Sequence, residues 1–583
     1  MIKPQSNHLR QTRSLDGFWN FKRDKDGIGE ARNWFLGFDS ECEIAVPGSW
    51  NEQRTDLEQY FGIAWYSQTF VAHSSWQEHG VSVHFGSVQN HAKVWLNGTL
   101  VGTHEGGSLP FQCDLSRCIV PGKENLLVVQ VDASINPWDL PPARIATNAK
   151  NEGFHNSNPS VTYDFFPYGG IPRPVSLQVT PTRESIDKIR VDTGLNLESK
   201  TAKVGITVTV KDSTACSVEV RIEKAAATAA LDSHGVATLY IDIANPRLWD
   251  LKTPELYVAE VTLLKDDQAI DHYRQTFGIR TIEVVGNSLK LNGKTVFLRG
   301  YGKHEDFPVL GRGLSLPLIA RDFDLLKWTG ANSFRTSHYP YAEEWYEFAD
   351  RHGILIIAET PMVGLCERLF ESDDIKAKAL KLVRDMVDRD HHHPSVIMWS
   401  VANEPWIESQ KGTDFIKALL SEARSQDSSR PVTYVAHNGI EINAACRDCD
   451  IVSVNRYGGW YDYPGDIETG TAYLGKVLDN FHSTFGKPIL LAEFGADAIP
   501  GEHSLPSIMF TEEFQADIIE AQILAAESRD WVIGTHVWAF SDFKTGQSIT
   551  RAVRNHKGIF TRDRLPKMAA HCIRRIWTET GQA

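Results

Sequence analysis

Val396-Ile397-Met398-Trp399-Ser400-Val401-Ala402-Asn403-Glu404-Pro405 is an apolar run that ends abruptly in an amide, a carboxylic acid and a proline. Its length and its branched and aromatic side chains predict a buried strand over 396–401. In a barrel of parallel strands the polar residues just past such a strand sit at the active face. Ile489-Leu490-Leu491 leads in the same way into Ala492-Glu493-Phe494-Gly495. Two carboxylates, each at a strand end, can therefore converge on one barrel mouth.

Outward from these runs, the chain from residue 279 alternates short apolar stretches with longer segments of helical spacing such as Ile319 to Trp328 and Glu513 to Ala526. Candidate strands fall at 296–300, 333–337, 354–358, 396–401, 432–435, 451–455, 489–492 and 532–538. Eight such βα units predict a TIM (β/α)8 barrel over 279–583. Upstream the pattern is different. Residues 1–180 hold short β-rich runs broken by turns, among them Val81 to Phe85, Ala92 to Leu96 before Asn97-Gly98, and Leu126 to Val131, which predict a β-sandwich. Residues 181–278 alternate with period two, as in Lys203 to Val210 and Ala237 to Ile241, and have the size of an immunoglobulin-like β-sandwich.

Composition narrows the function. With 60 basic and 74 acidic residues the net charge is −14, which repels phosphate backbones and argues against nucleic acid as a partner. Eight cysteines imply no disulfide framework, and the lone Cys446-x-x-Cys449 lacks the second pair of a zinc site. Adjacent side chains of His391-His392-His393 would diverge by about 100° on a helix, so they cannot share one ion. No metal and no cofactor are expected. The start Met1-Ile2-Lys3-Pro4 lacks a secretory apolar run and no stretch approaches the roughly 18 apolar residues of a membrane span, so a soluble, cytoplasmic chain without membrane contact is expected.

Paired carboxylates at one mouth suit glycoside hydrolysis with retention, in which one carboxyl protonates the leaving oxygen and the other, about 5 to 5.5 Å away, attacks the anomeric carbon. The competing reading is a pair of rim charges held in ion pairs. At Leu15-Asp16-Gly17-Phe18-Trp19, Tyr163-Asp164-Phe165-Phe166, Arg335-Thr336-Ser337-His338-Tyr339-Pro340 and Asn403-Glu404-Pro405, the chain resembles glycoside hydrolase family 2 over nearly its whole length. The resemblance implies a jelly-roll sandwich, an immunoglobulin-like sandwich and a TIM barrel in that order, in an enzyme that is often a homo-oligomer, frequently a tetramer. It implies Glu404 as acid/base, Glu493 as nucleophile, Tyr457 beside the nucleophile, and Asn403 in the substrate site.

The sugar needs a separate argument. Arg551-Ala552-Val553-Arg554-Asn555-His556-Lys557 is a basic segment in an acidic protein, just after the last predicted strand. Asn555 and Lys557, two residues apart in a loop, can face the same way and grip one carboxylate. The pair also resembles the Asn-x-Lys motif by which uronate-cleaving members of the family read their sugar; by the same resemblance Tyr461 and Arg551 lie close by. A small-molecule β-glucuronide is thus the expected substrate. Resemblance further places Asp164 and His338 on sugar hydroxyls, although a turn residue and a structural histidine are the alternatives. Trp538 reads either as a stacking floor or as barrel core. The connection between Glu359 and the helix expected near Asp374 is short where the resemblance implies a long loop in some members of the family, so an open aglycone side and tolerance of bulky aglycones, including ones bearing a second sugar, are expected. Galacturonide or galactoside cleavage, and sugar binding without turnover, are the other functions these residues allow.

Overall fold

A computed structural model describes residues 1–144, 157–213 and 215–579. The first unit is a sandwich. Its six-stranded sheet runs Cys42–Val46, Gly17–Asp24, Ile63–Val71, Glu124–Asp132, His91–Leu96, Thr99–Glu105, and faces a four-stranded sheet of Gln11–Ser14, Val175–Thr180, Gly80–Phe85 and Phe111–Asp114. Trp19, Phe21, Tyr66 and Val94 meet Val83, Phe85 and Leu177 between the sheets. Asn97 and Gly98, at φ 50° and 83°, form the hairpin turn that their sequence predicts, pairing Leu96 with Thr99.

The second unit packs a three-stranded sheet (Ser185–Asn196, Thr201–Lys211, Val236–Ala244) on a four-stranded one (Ala225–Ala230, Ser217–Ile222, Tyr257–Lys265, Gln268–Phe277). Every second residue of Thr201–Lys211 is buried, the period-two pattern made physical. Arg10 of the first unit reaches this one and forms a fully buried ion pair with Asp271, Nε to Oδ1 at 2.7 Å.

The barrel closes through eight parallel strands: β1 (Leu298–Lys303), β2 (Ser333–Thr336), β3 (Leu355–Glu359), β4 (Val396–Asn403), β5 (Val432–Ala436), β6 (Val452–Asn455), β7 (Ile489–Glu493) and β8 (Val532–Trp538). Leu298, Leu355, Ile357, Leu490 and Ala492 fill the lower interior together with Trp249 of the second unit. β3 runs one residue beyond its predicted end and β4 two, so Glu359 closes its strand and Glu404 is the first residue past β4. One βα unit departs from the expected pattern. Among the described residues β5 and β6 are joined by two 3₁₀ turns, Ile440–Ile442 and Ala444–Asp448, rather than by an α-helix. Cys446 and Cys449 fill the space as small buried hydrophobes, with Cys446 Sγ 3.2 Å from the Tyr434 hydroxyl. His391 and His393 bond Val191 O and the Asp350 carboxylate at the lower end of the barrel. No described helix is long and apolar enough to cross a membrane.

Asp271→Ala leaves the Arg10 guanidinium buried without its counter-charge. The variant should lose about 3–5 kcal/mol of stability, read by denaturant titration, with activity of the surviving folded fraction little changed.

Candidate active site

The mouth of the barrel holds a cavity of about 510 Å³. Of the residues singled out from sequence, Asp164, His338, Asn403, Glu404, Tyr457, Tyr461, Glu493, Trp538, Arg551 and Lys557 all line it. Asn555 lies just behind that wall and is fully buried.

Alternation along β2 sends Phe334 outward to the helices and Ser333 and Arg335 inward. The Arg335 guanidinium has no solvent exposure and gathers the strand ends around it. Its Nη1 donates to both Glu359 oxygens at 2.7 Å, and its Nη2 to Glu493 Oε1. Ser400 and His338 complete the shell of Glu359, at 2.8 and 2.7 Å. Burial pushes Glu359 up, but Arg335 and His338 outweigh it and hold the carboxyl below its ordinary range. Glu359 is therefore a fixed counter-ion. The sequence carried its signal, an acid closing a strand, as plainly as that of Glu404.

Glu493 has a second partner in Tyr457, whose hydroxyl donates to Oε2 at 2.7 Å. Among the described residues Glu404 has no cation in bonding reach. Its Oε1 accepts from Asn455 Nδ2 at 2.6 Å, and the same amide holds Asn403 Oδ1 at 3.2 Å. Glu404 sits at φ 48°, in the left-handed region that non-glycine residues occupy at a cost of about 1–3 kcal/mol. Burial pushes the Glu404 and Glu493 carboxyls up, countered in part by the Asn455 amide and then Arg335 at Glu404, and by Arg335 and then His338 at Glu493. The direct contact is with Glu493 alone, so of the two it is Glu404 that holds a proton more readily.

The opposite wall is basic, and its cations are already engaged. Arg551 clamps Asp164 Oδ2 through Nε at 2.8 Å and Nη2 at 2.6 Å, and Nη2 also reaches the Tyr461 hydroxyl at 2.9 Å. Asn555 Nδ2 joins the same oxygen at 3.0 Å. Lys557 Nζ bonds the Asp497 carboxylate and lies 4.9 Å from the ring centres of both Trp460 and Tyr461. Asn555 and Lys557 thus serve two different carboxylates of the protein instead of both pointing freely at one ligand. An ammonium has three donors, so Lys557 keeps two after Asp497 is served. Asp497, four residues past Glu493, had no distinguishing signal in the sequence. Burial pushes its carboxyl up, and Lys557 and Arg551 bring it below its ordinary value.

Trp538 and His338 stack with ring centroids 5.1 Å apart and 20° between planes. Gly302 permits this, since a Cβ there would lie 2.4 Å from Trp538 Cε3. Asp164 arrives from the first sandwich on a segment whose Phe165 packs on His304 and Tyr339.

A closed eight-stranded barrel with two buried carboxyls lining one mouth suits a glycoside hydrolase. The profile of the glycosyl hydrolases family 2 TIM barrel domain matches residues 282–581, that of the family's sugar binding domain residues 12–181, and a third family 2 profile residues 176–280. The chain belongs to glycosyl hydrolases family 2. It is 38% identical to a β-glucuronidase of Paenibacillus borealis, over 100% of this chain and 99% of that one. It is 36% identical to the β-glucuronidase of Canis lupus familiaris, over 100% of this chain and 93% of that one. Among solved structures it is similar to an uncultured Clostridium β-glucuronidase (TM-score 0.91, 36% identity, 99% and 100% of the two chains). A Ruminococcus gnavus β-glucuronidase in complex with D-glucuronic acid is also similar (TM-score 0.90, 34% identity, 99% of each chain).

A carboxyl whose folded pKa is raised binds more protons folded than unfolded, so it lowers stability as pH rises from its unfolded value through its folded one. Glu404→Gln should therefore unfold at a higher temperature than the wild type at pH 7.5. The gap should close as pH is lowered toward the ordinary glutamate value of about 4.3. Equal melting curves at pH 7.5 would contradict it.

Proposed function

We propose that the chain hydrolyses β-D-glucuronides with retention of anomeric configuration, Glu493 attacking the anomeric carbon and Glu404 serving as acid and then base. The observation that carries this reading is the placement of Glu404 and Glu493 in one cavity with Lys557 and Arg551 on its far wall. Arg335 and Tyr457 aim the Glu493 carboxyl and favour its ionised form against the burial that pushes it up, as a nucleophile needs. Glu404, buried beside a neutral amide, keeps the proton that the leaving oxygen takes up. As the glycosyl-enzyme forms, Glu404 becomes a carboxylate and can draw a proton from the water that releases the sugar.

Lys557 and Arg551 supply the donors for a C6 carboxylate. Asn555 and Tyr461 set them, the amide by sharing Asp164 with Arg551 and the phenol by bonding Arg551 directly. Asp164 and His338 offer acceptor and donor to the ring hydroxyls. A neutral hexoside would leave the Lys557 donors unused in a partly desolvated wall, which disfavours it. Full-length similarity to chains named β-glucuronidases supports the same sugar over the galacturonide and galactoside alternatives.

Chromogenic β-glucuronide, β-galacturonide and β-galactoside should be cleaved in that order, and a preference for the galactoside would overturn the assignment. Glu493→Ala should abolish covalent labelling by a 2-fluoro glucuronide, while Glu404→Ala should cut turnover by roughly 10²–10⁴-fold. Lys557→Met should depress kcat/KM for the glucuronide by on the order of 10²-fold and narrow its lead over the galactoside. The pH profile of kcat/KM should be bell-shaped. Its acid limb reports ionisation of Glu493, and its basic limb, set by loss of the Glu404 proton, should lie above the ordinary range near 4.3.

A further inference from the structure

At the lower end of the barrel, where β4 and β5 begin, a second cavity of about 750 Å³ lies between the barrel base and the second sandwich. Arg190 and Lys203 from the sandwich, Arg280 from the connection into the barrel, and His391 and Arg430 from the base line it. The chemistry at the mouth uses none of them. Arg280 is only 7% exposed. Its Nε donates to Pro394 O at 3.1 Å and its Nη2 to Val396 O at 2.6 Å, while Nη1 has no partner among the described residues. The Val396 carbonyl also accepts from Arg430 Nε at 2.7 Å. Two buried guanidiniums thus converge on one oxygen.

The charges around this cavity do not balance. Asp427 pairs with Arg430 at 2.6 Å and Asp192 with Arg190 at 3.1 Å, which leaves Arg280 and Lys203 without a paired carboxylate among the described residues. Glu283 is the remaining acid on the wall. Burial and then the Arg430 charge push Arg280 well below its ordinary range, with Asp427 and Asp350 countering in part. A guanidinium does not give up its proton inside a protein, so this cost is relieved by an anion. His391 bonds Val191 O through Nε2 at 2.9 Å, and its buried Nδ1 has no partner among the described residues. The polar groups come from several sides: two sandwich strands, the connection at Arg280 and the segment from Ser425 to Arg430, with Arg190 Nη2 tied to Gln426 O at 2.8 Å. A carboxylate offers two oxygens in one plane. A tetrahedral phosphate offers an acceptor toward each side.

We infer that Arg280, Lys203 and Arg190, with His391, form a binding site for a phosphate group at the junction of the second sandwich and the barrel base. The cavity is larger than the ion, so the group can belong to inorganic phosphate or to a phosphorylated small molecule. Bound there it bridges two units that otherwise meet across unbalanced charge. Its effect falls on the stability of the chain and leaves the mouth of the barrel unchanged.

Titration calorimetry of the full chain with inorganic phosphate, at constant ionic strength with chloride as the balancing ion, should show saturable binding. The unfolding midpoint should rise over the same phosphate range. Arg280→Gln should weaken the binding by about tenfold or more, and Lys203→Ala by about threefold to tenfold. Lys203 is exposed, so its variant decides the matter even where the Arg280 variant does not fold. Lys557→Met, which alters the mouth, should bind phosphate as the wild type does. Glucose 1-phosphate binding more than about tenfold tighter than inorganic phosphate would assign the site to a phosphate ester, and equal binding to the free ion. A midpoint that rises no more with phosphate than with chloride would overturn the site. So would binding that both cation variants leave within about twofold of wild type, or binding lost in Lys557→Met, which would put the ion at the mouth.

Discussion

The Arg335 guanidinium is the interaction on which the barrel mouth depends. It is fully buried, and from β2 it holds the carboxylates that end β3 and β7. Without it two acids would lie in a dry interior with no counter-charge, a condition that proteins relieve by protonating the acid or by unfolding. With it, Glu359 is held below its ordinary carboxyl range as a spacer, and Glu493 is aimed by a direct cation contact that works against its burial. Glu404 is left outside this direct neutralisation, and that asymmetry distinguishes the two cavity carboxyls: one touches a cation and the other does not.

The far wall works by direction more than by net charge. Arg551 faces Asp164 and Lys557 faces Asp497, so two cations meet two anions before any sugar enters. The wall is no bare positive pocket: its N–H groups are already oriented, and the rings of Trp460 and Tyr461 lie against Lys557. Oriented donors in a dry wall discriminate more sharply than a mobile surface charge, because the analogue that lacks the acceptor leaves them unpaired. Asp164 makes the first sandwich part of this wall.

Several features here are costly for folding. Glu404 carries a left-handed backbone, Glu404 and Glu493 are both buried with raised carboxyls, and Trp406 is left open to solvent. Glu404, Glu493 and Trp406 all line the one cavity.

The sequence by itself determined the parts governed by local periodicity. The strand runs of the barrel, the alternation in Thr201–Lys211, the Asn97-Gly98 turn, and the acids at 404 and 493 could be read because strand ends and turns are set by neighbours in the chain. The helix expected between β5 and β6 failed for the complementary reason: in that stretch burial of Cys446 and Cys449 against Tyr434, a tertiary matter, replaced the helix. Only the tertiary structure decided that Arg335 bridges Glu359 and Glu493, that Asp164 crosses from another unit to Arg551, and that Lys557 is shared with Asp497. Those contacts join residues from about 24 to nearly 400 positions apart. Their strength comes from removing water around paired charges, a property of the closed barrel that no local stretch of chain possesses.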